Sequence, residues 1–269
     1  MCMRIKQLKP DRKRTLRYFL AVAAAAYACG QSAFAACPTA GARAVAFAGI
    51  VDGDTIQIAS AEEADLDGVL APGSGGEADS ESSSRHGARD ALRALIAGHA
   101  LAIAFAGPER DRYGRLRVQL FADGTWVQGS LLEQGLARAE IRPGTRACAA
   151  ALLAAEARGR DAGHGHWADG PFAVRGPEEL AGHIGTFQIV EGTIVGAALR
   201  RGRLYLNFGS DWRTDFTVTV APEDMRLFRR EKIDWKSYKG RRVRVRGWVE
   251  SYYGPQIGVA HPDEIEMLD

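Results

Sequence analysis

Long apolar runs are scarce in this sequence. Apolar residues make up 46% of its 269 positions, yet the only strong apolar segment is "YFLAVAAAAYACGQSAFA" near the N-terminus. That run is short and Ala-rich beside the roughly 20 strongly apolar residues that span a bilayer. No internal repeat stands out, which excludes a solenoid. Cysteine is sparse, with four in the chain, too few for a disulfide-built scaffold. Positive charge is also lacking once the first 35 residues are set aside. Those carry seven Lys/Arg and one Asp, or +6; the whole chain is +2, so the remainder is +2 − 6 = −4. The basic isoelectric point belongs to the leader, and bulk charge gives no case for nucleic-acid binding.

What is present at the N-terminus is a basic stretch, "MRIKQLKPDRKRTLR", then the apolar run, then Ala33-Phe34-Ala35. A basic, an apolar and a small-x-small part in that order read as a secretory signal over residues 1–35. The alternative is a membrane anchor. Export to the periplasm or medium removes Cys2 and Cys29 and leaves Cys37 and Cys148. An oxidising compartment allows these two to form a disulfide. A competing reading takes Phe34-Ala35-Ala36-Cys37 as a weak bacterial lipobox, with a lipid anchor on Cys37.

Alternating and helical patterns organise the rest. "VAFAGIVDGDTIQI" (45–58), "ALAIAF" and "RLRVQLF" read as strands, and "ADLDGVLA" (64–71) as a further candidate. Residues 86–97, 126–137 and 146–159 carry helical spacing, and 72–84 read as a polar loop. That order suits a small closed barrel with three helices packed on it. A linker is expected over 169–182. Several short strands and one helix follow over 183–269, which suits a second OB-like β-barrel. The fold class is therefore α+β, mainly β, in two domains, 36–168 and 183–269.

Chemistry concentrates at Val51-Asp52-Gly53-Asp54-Thr55. Two carboxylates two residues apart on a strand share a face and repel unless a cation joins them. Together with "GPERDRYGRLRVQLFADGTWVQGSLLEQGLARA" and a late "GHW", this motif resembles the staphylococcal nuclease (thermonuclease) family over about residues 40–168. The resemblance implies a five-stranded OB-type barrel with three helices and Ca²⁺-dependent hydrolysis of DNA and RNA. It implies Asp54 as a calcium ligand, Asp52 as its neighbouring carboxylate, and Arg115 in "DRYGR" as a phosphate-binding arginine. The family also writes R-L-x-G-I-D-A-P-E, matched here by residues 65–73, "DLDGVLAPG". There Asp65 replaces an arginine, Leu70 the second calcium aspartate and Gly73 the catalytic glutamate. Losing an acid–base group costs about 10²–10⁴-fold, and losing a phosphate-binding donor about 10²–10³-fold. The site reads as degenerate and the protein as a non-catalytic binder of nucleic acid or a protein partner, with Ca²⁺ weak or absent. The alternatives are an active nuclease using substitutes such as Glu77 or Asp79, and an envelope interaction module. Arg115 is expected to pair with Asp65 or Asp54. His164 and His166 are remote metal candidates, and Trp167 reads as a core anchor.

The C-terminal region contains Arg242-Val243-Arg244-Val245-Arg246 followed by Trp248. On a strand this buries the valines and aligns three arginines on the other face. With Tyr205, Phe208, Trp212 and Trp248 nearby, that face suits single-stranded nucleic acid. The opposing reading is a face balanced by cross-strand acids, with the aromatics in the core.

Overall fold

The computed structural model describes Cys37 and residues 41–74, 82–168, 171–211 and 213–268. The signal and lipobox readings at 1–36, Glu77, Asp79 and Trp212 lie outside the described residues. In chain order the strands and helices are β1 (Arg43–Val45), β2 (Phe47–Ile50), β3 (Thr55–Ile58), β4 (Glu63–Leu66), β5 (Val69–Leu70), α1 (Ser82–Ile96), β6 (Leu101–Ala104), β7 (Leu116–Ala122), β8 (Thr125–Trp126), α2 (Val127–Glu133), β9 (Arg138–Ala139) and α3 (Ala149–Asp161). There follow β10 (Val174–Arg175), β11 (Phe187–Thr193), β12 (Gly196–Arg200), β13 (Arg203–Asn207), β14 (Thr217–Val220), α4 (Met225–Arg230), β15 (Arg242–Tyr252), β16 (Gly254–Gly258) and β17 (Ile265–Met267). The protein is a mixed α+β structure, mostly strands in separate sheets with a few helices.

Two sheets repeat one connectivity. In the first, β2–β3, β3–β4, β6–β7 and β1–β6 pair antiparallel, while β4 and β7 run parallel. In the second, β12–β13, β13–β14, β15–β16 and β11–β15 pair antiparallel, while β14 and β16 run parallel. A parallel pair cannot be joined by a tight hairpin. Here α1 and α4 lie in the two crossovers. The closed barrels expected from the sequence are not closed by hydrogen bonds, since among the described residues the end strands of neither sheet pair with each other. The first path ends on β1 and β2, two stretches parted by Ala46 alone, so one chain segment supplies both edges. In the second sheet β11 and β12 are parted only by Ile194 and Val195, with β10 added outside β11.

Helix boundaries follow local chemistry. Helix α1 buries Ala88, Leu92 and Ile96, spaced four apart on one face. Helix α2 is shorter than its pattern predicts because Gly135 takes φ +65° there. A side chain at that glycine would sit 2.0 Å from the His164 carbonyl oxygen. The first core gathers Ile56, Leu66, Ile103, Leu120, Leu132 and Leu152; the second gathers Val190, Leu206, Phe216, Phe228, Val245 and Ile257. Residues expected as a linker are built into the second sheet: β10 pairs parallel with β11, and Phe172 and Leu180 are buried. A third apolar cluster joins Leu70 to Phe187 and Ile189, with Trp167, Val174 and Trp248 packed on it.

Cys37 and Cys148, both buried, form a disulfide that closes a 111-residue separation. It ties the chain ahead of β1 to the start of α3 and consumes the thiol that a lipid anchor on Cys37 would need. Closing a loop of this size restricts the unfolded chain and stabilises by about 2–4 kcal/mol. Reduction, or a Cys37→Ser/Cys148→Ser variant, is expected to lower the thermal midpoint by about 4–16 °C, measured by calorimetry with and without dithiothreitol.

Candidate functional site at the Asp52–Asp54 turn

The turn between β2 and β3 is set by backbone bonds from Val51 and Asp52 N–H to the Thr55 carbonyl, at 2.9 and 3.3 Å. Asp52 Oδ1 accepts the Asp54 N–H at 3.1 Å, closing an Asx turn. Gly53 is required by packing, because a Cβ there would lie 2.6 Å from the Ala71 Cβ and 2.8 Å from that of Ala88 in α1. The turn thus lies between helix α1 and the 71–74 segment.

Asp54 is buried, and its carboxylate is already occupied. Oδ2 accepts the Ala71 N–H at 2.7 Å; Oδ1 accepts the Ser74 hydroxyl at 2.8 Å and the Thr55 hydroxyl at 3.4 Å. Burial, then the charge of Asp52, push the Asp54 carboxyl well above the usual carboxylate range, and the Ala71 hydrogen bond only partly opposes them. A calcium site needs several charged or carbonyl oxygens pointed at one position. Here the neighbouring position is Leu70, 2% exposed and part of the third apolar cluster. Gly73 sits at φ +83°, a conformation that disfavours a glutamate. The residues present do not fit Ca²⁺. Among the described residues no group of three or more His, Cys, Asp or Glu side chains could hold a metal ion.

The arginines are committed elsewhere. Arg115 pairs with Asp111 at 2.8 Å and lies 5.8 Å from the Tyr113 ring centre, so the expected pairing with Asp65 or Asp54 is corrected. The reason is local: Asp111 also accepts the Tyr113 and Arg115 N–H groups, which fixes it under the guanidinium. Asp65, buried in β4, instead faces Arg142 at 3.2 Å, and Arg142 also binds Glu140. Asp67 binds Arg117. His164 Nδ1–H donates to the Glu133 carbonyl, 2.9 Å away, and His166 and Trp167 stack edge-on against Phe172.

No protein-family model and no curated protein matches this chain.

The arginine face of β15 is also corrected. Val243 and Val245 are fully buried, as alternation requires, but the opposite face is not an open basic surface. Arg246 is 1% exposed and binds Glu156 of α3 at 2.8 Å, the Ala139 carbonyl at 3.1 Å and Glu266 at 2.5 Å. Arg244 binds Glu191 and Glu266, and Arg242, the exposed one, binds Glu191 at 2.9 Å. Trp248 is half-buried, donates to Glu140 at 3.3 Å and packs edge-on against Phe187. A hollow of about 220 Å³ beside it is lined by Glu140, Glu250 and Glu264 as well as Arg142 and Arg246, which disfavours a phosphate. The sequence readings missed a larger groove of about 480 Å³ on the second sheet, lined by Arg200, Tyr205, Asn207, Tyr252, Tyr253 and Gln256. Its one sequence signal is the tyrosine pair ahead of Gly254-Pro255.

Two outcomes follow from these partners. Ser74→Ala removes a donor from a buried carboxylate and is expected to cost about 1–3 kcal/mol in urea unfolding. Arg246→Ala leaves the buried Glu156 with only the longer contact to Arg160 at 3.5 Å and is expected to cost about 3 kcal/mol, whereas Arg242→Ala stays within about 0.5 kcal/mol.

Proposed function

We propose that this chain is an exported protein of the thermonuclease type that has lost phosphodiester hydrolysis and acts by binding, with nucleic acid as its ligand. The observation that carries this reading is the state of Asp54. Both oxygens of the one retained calcium aspartate are taken by Ala71, Ser74 and Thr55, and its expected partner is an apolar core residue, Leu70. Hydrolysis would need a metal or a charged clamp to neutralise the phosphoryl oxygens. The turn offers no second carboxylate beside Asp54 at Leu70, and Arg115 is held by Asp111 through its Nε.

Three further features support the ancestry. The linked motifs run in the family's order. The connectivity of each sheet, with a bent first strand and a parallel pairing of the third and fifth strands, is what a five-stranded OB-type barrel would have. Helices α1, α2 and α3 supply the three helices of the first half. The Cys37–Cys148 bond suits an oxidising compartment and so supports export.

The purified protein, incubated with labelled single-stranded DNA and millimolar Ca²⁺, is expected to give no cleavage beyond background on a denaturing gel. Robust hydrolysis that disappears in Asp54→Ala would overturn the reading.

A further inference from the structure

We propose that His261 is an acid-sensitive latch on the seam between the two halves: a proton on its ring makes it compete with Arg146 for Asp263 and loosens the contact that Arg146 makes across the seam. The device needs no ligand.

Local chemistry places the ring. His261 precedes Pro262, which favours extended backbone, and takes φ −155° and ψ 163°. Glu264 Oε2 accepts the Ala260 and His261 N–H groups at 2.7 and 2.9 Å and pins the turn. The imidazole is fully buried. Among the described residues neither of its nitrogens makes a well-formed hydrogen bond. Nδ1 lies 3.5 Å from Asp263 Oδ2, and Nε2 lies 3.9 Å from Glu264 Oε2. Buried polar atoms left in this state are rare in native folds.

The carboxylate beside the ring belongs to the seam. Arg146 stands on the turn Pro143–Cys148 of the first half. Its Nε donates to the same Asp263 Oδ2 at 2.7 Å, and its Nη1 binds Glu231, the residue after α4. One oxygen therefore lies between a permanent cation and a titratable ring. While His261 is neutral, Arg146 has that oxygen to itself. An imidazolium attracts the oxygen and repels the guanidinium. Arg146 then keeps Glu231 but loses its sole claim on the 261–264 turn.

The charged groups around the ring set when this happens. Burial is the largest influence and holds protonation of His261 below the usual histidine range. Asp263 opposes that effect, Arg146 adds to it, and Glu231 and the Arg142 backbone oppose it. Burial also pushes the Glu264 carboxyl up to about 7, against its two backbone hydrogen bonds, and Asp224 and Glu140 add to the rise. Below that pH Asp263 is the charged carboxylate left beside the ring. Tyr238, buried near Asp263 and Glu231, is pushed up to about 12 and keeps its proton.

The two titrations act on stability with opposite signs. His261 is protonated more readily in the unfolded chain, so its share of stability is lost as pH falls from about 6.5 towards the folded-state value. Glu264 is protonated more readily in the fold, so its share grows as pH falls from about 7 towards 4.5. The offset favours a local opening of the seam over unfolding of the whole chain.

The test is hydrogen–deuterium exchange of the full-length chain, read by mass spectrometry from about pH 7.5 to pH 4.5 and corrected for the intrinsic pH dependence of exchange. Segments 143–150 and 259–266 are expected to lose protection about tenfold over this range, the size of one weakened charge-assisted hydrogen bond. The core strands β7 and β13 are expected to keep theirs. His261→Gln cannot take the proton, and its seam protection is expected not to change with pH. Asp263→Asn, at a partly exposed site, is expected to show the acid level of seam protection already at pH 7.5. It keeps the test decisive if circular dichroism finds His261→Gln unfolded. Carbon-13 NMR of the His261 ring is expected to show it titrating within the same range. Equal loss of protection in β7 and β13 would mean global unfolding and would overturn the proposal. So would an unchanged seam, an acid response that survives in His261→Gln, normal seam protection in Asp263→Asn at pH 7.5, or a ring still neutral at pH 4.5.

Discussion

The buried ion pair between Arg246 and Glu156 holds the two sheets in one structure. Arg246 rises from the second sheet and Glu156 from the helix that packs on the first, and both are essentially without solvent. Removing two charges from water is costly, and close geometry with further hydrogen bonds offsets it. Here Glu156 also accepts the Ala139 N–H at 2.7 Å, Arg246 also donates to the Ala139 carbonyl, and Glu266 takes the other terminal guanidinium nitrogen, while the buried Nε finds no partner among the described residues. Carboxylates then bridge outward to Arg244, Glu191 and Arg242. Residues Ala36–Asp269 cluster as one unit around these contacts.

That docking bears on the Asp52–Asp54 turn. Leu70, where the proposed thermonuclease reading would have a metal ligand, is covered by Phe187 and Ile189 of the second sheet. An aspartate at this place would be buried against apolar neighbours without a partner, which is costly. The same packing that joins the halves thereby selects leucine over a charged ligand. Asp54 is left to bind the 71–74 segment, a structural task that needs its two oxygens and no cation.

Much of this was legible in advance. Period-two alternation in "RVRVRGWV" placed Val243 and Val245 inside, where both are fully buried. Asp65, Leu70 and Gly73 were legible as residues that a calcium site would not use, and each stands in a setting that suits it, an ion pair with Arg142, an apolar cluster and a positive φ. Less legible were partners. Arg115 lies two residues from Tyr113 and four from Asp111, and that local carboxylate captured it ahead of the distant Asp65. Asp65 was then taken by Arg142, 77 positions away, a pairing no spacing rule contains.

By itself the sequence determined most of the elements and the turn at Asp52–Asp54, because side-chain type and local periodicity carry that information. Tertiary structure alone decided what lies against each face. Alternation says that three arginines share one side of β15, but only the docking of α3 made Arg246 a buried ion-pair partner while Arg242 stayed in water. Likewise only the register of β12, β13, β14 and β16, joined to a hairpin some fifty residues downstream in the chain, assembled Arg200, Tyr205, Tyr252 and Tyr253 around one groove. Contacts between segments far apart in sequence depend on how whole sheets pack, and packing is set by summed burial and charge balance that no short stretch contains.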